Sequence, residues 1–231
     1  MSQVIDDSAR PPGGPQSNQR DARQRDIVPP DRLAACQATV VGVGAVGRQV
    51  ALQLAAVGVP ELRLIDPDSV EVVNLACQGY LDEDLGRAKV HATCELCRQI
   101  NPQIQVNAEV GRFRRSMEVG NCLFCCVDDI EVRQRIWQAT QGRAQFFTDG
   151  RMSAEVVRVL AAADEASRKH YPTTLFTSAE AYQGACTAKS TIFTANIAAG
   201  LMLSQFSKWL RRLPIDQDLT LNLLSAELSV G

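Results

Sequence analysis

Residues 38–47 read Ala-Thr-Val-Val-Gly-Val-Gly-Ala-Val-Gly, an apolar run that ends in Gly42-Val43-Gly44-Ala45-Val46-Gly47 and opens a helical pattern. Gly42 permits a tight turn, Gly44 lets main-chain N–H groups approach phosphate, and Gly47 lets helix and strand pack closely. Asp66 follows nineteen residues past the last glycine. There a carboxylate at the end of the next strand reaches ribose hydroxyls, unless it is simply a structural strand-end acid. Dehydrogenases, flavin enzymes and adenylating enzymes all share this fingerprint, so the residues that follow it must separate them.

The bounds around the turn are ordinary. A chain of 231 residues suits one α/β domain with a full core. A formal charge of -2 and a pI near 5.8 argue against general nucleic-acid binding. No apolar run approaches the about 18 residues that span a bilayer, and the start lacks a secretory apolar stretch, so a soluble cytoplasmic protein without membrane contact is expected. Residues 1–20 are polar, with Pro11, Pro12, Gly13, Gly14 and Pro15, and read as a disordered arm before a domain over 21–231. Cys94/Cys97 and Cys122/Cys125 have C-x-x-C spacing. The first pair lies in a helical pattern and the second in an apolar strand, so all four are read as reduced core residues.

The apolar periodicity alternates. Strands are expected at 38–43, 61–66, 104–110, 121–127, 145–148 and 156–161. Helices are expected at 45–58, 84–99, 114–120, 130–141 and 191–213, with a loop through Gln78, a loop-like stretch over 162–188, and strand character over 219–230. This order implies an α/β fold: a doubly wound, largely parallel sheet with helices on both faces, extended by a C-terminal helix and antiparallel strands.

Beyond Asp66 the chain reads Asp66-Pro-Asp68-Ser-Val-Glu-Val-Val-Asn74-Leu-Ala-Cys77-Gln78, then Gly86-Arg-Ala-Lys89, then Ile100-Asn101-Pro102, then Val127-Asp128-Asp129 with Arg133. A dehydrogenase has no use for this series. Five motifs in order and at these spacings resemble the adenylating domain shared by ubiquitin-activating enzymes and the ThiF/MoeB sulfur-carrier activators. The resemblance is strongest over about residues 20 to 150. It implies a Rossmann-like fold, ATP and Mg²⁺ as cofactors, and attack of a protein C-terminal carboxylate on the α-phosphate of ATP.

The resemblance also assigns roles. Gly42, Gly44 and Gly47 would cradle phosphate, and Asp66 would hold the ribose. Asp68 belongs to the same binding set, and Asn74 and Gln78 would contact triphosphate and ribose, or else cap the loop they lie in. Lys89 would bind the phosphates, the alternative being a solvated helix lysine. Asp128, at a strand's carboxyl end, would carry magnesium. Asp129 reads as the cap of the next helix with Arg133 as its ion partner. Arg23, in Arg20-Asp-Ala-Arg23-Gln24, matches the family arginine that reaches the partner subunit's ATP, if it is not a solvated residue of the arm.

One departure stands out. Where the family has arginine in N-L-x-R-Q this chain has Cys77, so Arg23 must suffice, Arg48 or Arg87 must substitute, or the site is impaired. Downstream, Gly184-Ala-Cys186-Thr187 in the loop-rich segment 150–188 resembles the thioester-forming motif of ubiquitin-activating enzymes, although a structural helix-start cysteine has the same spacing. Lys189 would favour its thiolate. The zinc-binding C-x-x-C pairs of sulfur-carrier activators are absent from their places, so no zinc is expected. His91 and His170 read as ordinary surface or packing residues, and Trp137, Phe193, Phe206 and Trp209 as core or dimer-face residues. The implied function is adenylation of a ubiquitin-like or sulfur-carrier protein by a homodimer, with transfer to Cys186 and a conjugating enzyme as a further partner. The rivals are a sulfur-carrier activator without zinc, a catalytically inactive half of a heterodimeric activator and a nicotinamide-dependent oxidoreductase.

Overall fold

A run such as Cys122–Cys125, apolar at every position, needs cover on both faces, and a parallel sheet between helix layers provides it. The computed structural model describes residues 20–176 and 190–231. Its sheet has eight strands: β1 Gln37–Val41, β2 Glu61–Asp66, β3 Gln105–Val110, β4 Cys122–Cys125, β5 Phe146–Ser153, β6 Val156–Ala162, β7 Asp218–Asn222 and β8 Glu227–Val230. They lie in the order β3-β2-β1-β4-β5-β6-β7-β8. β3 to β5 run parallel, whereas β5 to β8 pair antiparallel. The fold is the expected α/β one, doubly wound with an antiparallel extension.

The helices are α1 Pro30–Leu33, α2 Ala45–Val57, α3 Val72–Gln78, α4 Lys89–Ile100, α5 Ile130–Thr140, α6 Glu165–His170 and α7 Ile192–Leu210. On one face Val50, Leu54, Val90, Cys97, Ala198, Met202 and Phe206 from α2, α4 and α7 pack into one core with Val40, Leu64 and Phe124. The other face is covered by α5 and by Trp137, Phe147 and Tyr171, whose rings meet edge-on or tilted with centroids 4.7 to 4.9 Å apart. Cys94, Cys97, Cys122 and Cys125 are free thiols buried in these cores. No helix of the described residues is long and apolar enough to cross a membrane.

Four expectations need correction. Residues 72–78 are a helix, not a loop: Glu71 and Asn74 form a capping box, and Gly79 closes the helix at φ 73°. The consecutive branched residues Val72 and Val73 concealed it. The helix expected over 114–120 is only a turn, with the Met117 N–H donating to the Arg114 carbonyl. The chain there must reach β1, where Gly120 donates to Thr39 Oγ1 at 2.9 Å and leaves no room for a Cβ against Gln37. Residues 165–170 of the supposed loop form α6, capped by Asp164, whose carboxylate accepts the Ser167 N–H at 2.9 Å. The C-terminal strand is a hairpin, β7 and β8, turning through Ala226 at φ 54°.

The sheet's parallel strands wind outward from β1 in both directions, to β2 and β3 on one side and to β4 and β5 on the other. The crevice beyond the carboxyl ends of β1 and β4 is therefore where this topology binds ligands.

Candidate functional site

The glycine turn joins β1 to α2 at that crevice. Gly42 adopts φ 86°, and a Cβ there would stand 2.8 Å from the Cys126 carbonyl. A Cβ on Gly47 would lie 1.8 Å from the Gly42 carbonyl oxygen, so the turn and the helix start close-pack only as glycines. Gly44 differs: it starts α2 with no side-chain cap and open space around it. The first-turn N–H groups thus lack a side-chain acceptor, an arrangement suited to an anion.

Asp66 ends β2 and is 5 % exposed. Oδ2 accepts the Val43 N–H at 2.6 Å and Oδ1 the Asp68 N–H at 2.8 Å. Burial pushes its carboxyl above the ordinary carboxylate range, opposed by those two N–H groups and by Lys89. Each oxygen retains a second lone pair, so ribose hydroxyls remain compatible with this placement. Tyr80 holds the next peptide of the turn: its hydroxyl donates to the Val43 carbonyl at 2.6 Å. Nothing in the spacing of the chain pointed to Tyr80.

Lys89 opens α4. Its ammonium lies 3.2 Å from Asp68 Oδ2, and its N–H donates to the Asp68 carbonyl. Lys89 is 6 % exposed, whereas Asp68 is largely open to solvent. A solvated helix lysine is thereby excluded, and this one is held at the crevice by an exchangeable partner. Asn74 Oδ1 accepts the Glu71 N–H at 2.9 Å, so the capping role is its visible one. The Gln78 main-chain carbonyl accepts from Gln49, but its side-chain Oε1 is buried without a hydrogen-bond partner among the described residues. An orphaned acceptor of this kind fits a hydroxyl-bearing ligand.

Asp128 is exposed just past β4, and its side chain makes no hydrogen bond or ion pair with another described residue. Asp129 caps α5 as expected, accepting the Glu131 and Val132 N–H groups at 2.7 and 2.9 Å. Arg133 is not its ion partner. The guanidinium turns inward to Asp149, a carboxylate at 0 % exposure that also accepts Arg151 Nε and the Tyr171 hydroxyl at 2.9 Å each. The buried Asp149 carboxylate offsets the cost of taking this guanidinium out of water, and Asp149, on β5, was not read from sequence. Among the described residues no group of three or more His, Cys, Asp or Glu side chains gathers as a metal cluster.

Neither proposed substitute for the missing arginine is free. Arg87 pairs with Asp84 at 3.1 Å and Glu95 at 2.6 Å. Arg48 is buried and donates to Thr93 and to the Gly79 carbonyl. Cys77 itself turns back onto its own helix, 3.1 Å from the Val73 carbonyl. Arg23 is exposed near the far end of α2, where neighbouring Gln24 donates to the Val57 carbonyl at 2.7 Å. Cys186, Lys189 and residues 1–19 of the arm lie outside the described residues. His170 pairs with Asp218 at 3.0 Å, away from the crevice.

Residues 20–228 match the ThiF family. Over 134 residues the chain is 31 % identical to ubiquitin-like modifier-activating enzyme 5 of Caenorhabditis briggsae, covering 51 % of this chain and 31 % of that protein. Over 111 residues it is 32 % identical to the sulfur carrier protein ThiS adenylyltransferase of Escherichia coli strain K12, covering 46 % of this chain and 44 % of that protein. The chain thus spans less than half the length of these curated relatives. Among solved structures, PaaA superposes with a TM-score of 0.77 at 18 % identity, covering 99 % of this chain and 77 % of that one. Escherichia coli MccB superposes with 0.77 at 14 % identity, covering 95 % and 70 %. These two likenesses establish the fold.

Proposed function

Because the chain belongs to the ThiF family, we propose that it is an ATP-dependent adenylyltransferase acting on the C-terminal carboxylate of a ubiquitin-like or sulfur-carrier protein. AMP passes from ATP to that carboxylate, the bond to the leaving pyrophosphate breaks, and no covalent bond to the enzyme forms in this step. The observation that carries the reading is the exposed carboxylate of Asp128, which bonds no other described residue, taken together with an uncapped glycine turn and a buried lysine.

Each residue has a task that its surroundings permit. The α2 N-terminus at Gly44 would face the phosphates and Lys89 would exchange Asp68 for a phosphate oxygen. Asp66 would keep the turn in register while offering its spare lone pairs to ribose. Asp128 would hold Mg²⁺, which supplies charge neutralisation on the phosphates when bound. Positioning and charge are sufficient chemistry here. One unit charge at about 4 Å contributes about 4 kcal/mol at an effective dielectric of about 20, so every cation counts. Arg23 would complete the site of the second subunit in a homodimer. Cys186 would take the activated carrier as a thioester, releasing AMP, ahead of a conjugating enzyme. The domain would occupy residues 21–231, in the cytoplasm.

A second reading, an inactive half of a heterodimeric activator, is favoured by Cys77 and by the engagement of Arg48 and Arg87. ATP–pyrophosphate exchange by the purified chain, with small carrier proteins ending in glycine, decides between them. Carrier-dependent exchange supports the enzyme; ATP binding with background exchange supports the inactive half.

A further inference from the structure

Arg48 is the fourth residue of α2, and its N–H bonds the Gly44 carbonyl at 3.0 Å. Its side chain is 1 % exposed, yet no carboxylate among the described residues lies within ion-pair distance. The guanidinium donates to Thr93 Oγ1 at 3.2 Å and to the Gly79 carbonyl at 2.9 Å, and it stacks 4.0 Å from the Tyr80 ring centroid. Nε is buried with no hydrogen-bond partner among the described residues. Asp84 acts on it from farther off, but that carboxylate is ion-paired to Arg87. Burial pulls the Arg48 pKa below the usual arginine value, as expected for a cation taken out of water without a matching anion.

The three contacts locate this charge. Thr93 sits one helical turn after Lys89 on α4, and Gly79 directly follows Gln78 at the end of α3. Tyr80 donates to Val43 inside the glycine turn. The guanidinium therefore touches the continuation of each segment that carries a candidate phosphate contact. An anion bound at the glycine turn would give this buried cation the counter-ion that no described residue supplies.

We propose that Arg48 supplies, from beneath the glycine turn, positive field for a polyphosphate bound above it, in a chain where Cys77 occupies the family's arginine position. This rests on the nucleotide reading of the same crevice. Arg48 touches no ligand. It acts through the low-dielectric layer formed by Tyr80, Gly79 and the start of α2, where a charge is screened less than at the surface.

The test exploits ligand charge. Binding of ATP and of adenosine to the full chain is measured by calorimetry for wild type, Arg48→Gln, Arg48→Met and Arg48→Lys. Both neutral variants are expected to bind ATP about tenfold or more weakly, with adenosine affinity within about twofold of wild type, while Arg48→Lys retains most of the ATP affinity. Equal loss of ATP and adenosine would assign Arg48 a purely structural role and overturn the inference, as would unchanged ATP binding. Arg48→Met refills the same space with an unbranched chain, so it carries the comparison if Arg48→Gln does not fold. If neither neutral variant folds while Arg48→Lys does, the fold itself needs the charge and the inference fails. Wild-type protein that binds no ATP overturns the nucleotide reading and this inference together, a result visible before any substitution is made.

Discussion

The carboxylate of Asp66 grips the main-chain N–H of Val43 at 2.6 Å, so the acid that ends the second strand fixes the glycine turn that ends the first. With Tyr80 on the Val43 carbonyl, both main-chain polar groups of Val43 are held, one in each of two successive turn peptides. The turn is preorganised for a ligand before any ligand arrives, which spares ordering entropy at binding.

Asp66→Asn keeps one acceptor oxygen where two N–H groups need acceptors, so nucleotide affinity should fall as the turn loosens. The pH dependence is specific. Folded Asp66 holds its proton to higher pH than the unfolded chain, because burial raises its pKa. Its stabilising contribution is therefore complete below the ordinary carboxylate value and lost as pH rises through the raised one. Urea midpoints across pH 3 to 8 (about the range of carboxylate titration) should show this component in wild type and not in Asp66→Asn. Identical pH slopes would mean that Asp66 titrates normally.

Asp149→Asn should destabilise by about 3 to 5 kcal/mol, because the carboxylate neutralises Arg133 and Arg151 inside the protein and its loss leaves both buried. Equilibrium unfolding in urea reads the difference directly. A loss below about 1 kcal/mol would show that water reaches the two guanidinium groups.

How much of this was legible follows from the range of each signal. The glycine turn, Asp66 and the alternation of strand and helix were readable because they rest on local periodicity and on spacing within one βαβ unit. The capping role of Asp129 was equally local. The pairing of Arg133 was not: its partner Asp149 is sixteen residues on, beside Cys125 in the sheet register, and only strand order brings them together. Arg48 enters the sequence reading only as a substitute for the missing arginine, whereas the packing of α2 on α4 buries it. Helix α3 was missed because its start is two branched valines, which suggest strand, and because the capping box that forms it uses Glu71 and Asn74 in an order unlike the usual Ser-x-x-Glu.

Arg23 should act only on a partner's site. It lies near the Val57 end of α2, and a helix of 13 residues separates that end from Gly44 by about 20 Å at 1.5 Å per residue. Arg23→Ala and Asp128→Ala should each be inactive in pyrophosphate exchange. Mixed in equal amounts and allowed to exchange subunits, they should recover about a quarter of wild-type activity, since half the dimers then carry one intact site. No recovery would leave Arg23 without a role in trans.

Cys77→Arg restores the family residue on a half-exposed turn of α3, where the thiol now donates to the Val73 carbonyl of its own helix. Folding should be unaffected within about 0.5 kcal/mol, and pyrophosphate exchange should rise severalfold as a cation joins the phosphates. A fall in rate at unchanged stability would reveal a separate task for the Cys77 thiol.

Asp128→Ala separates ligand chemistry from fold. The side chain is exposed and bonds no other described residue, so thermal stability without nucleotide should be unchanged within about 0.5 kcal/mol. Exchange should disappear, because the metal loses its protein carboxylate. A charge-conserving Asp128→Glu variant should recover part of the rate with a raised magnesium requirement, since the longer chain misplaces the ion rather than removing it. Titrating magnesium against exchange rate for the three proteins checks the assignment. Equal magnesium curves for wild type and Asp128→Ala would place the metal on other residues.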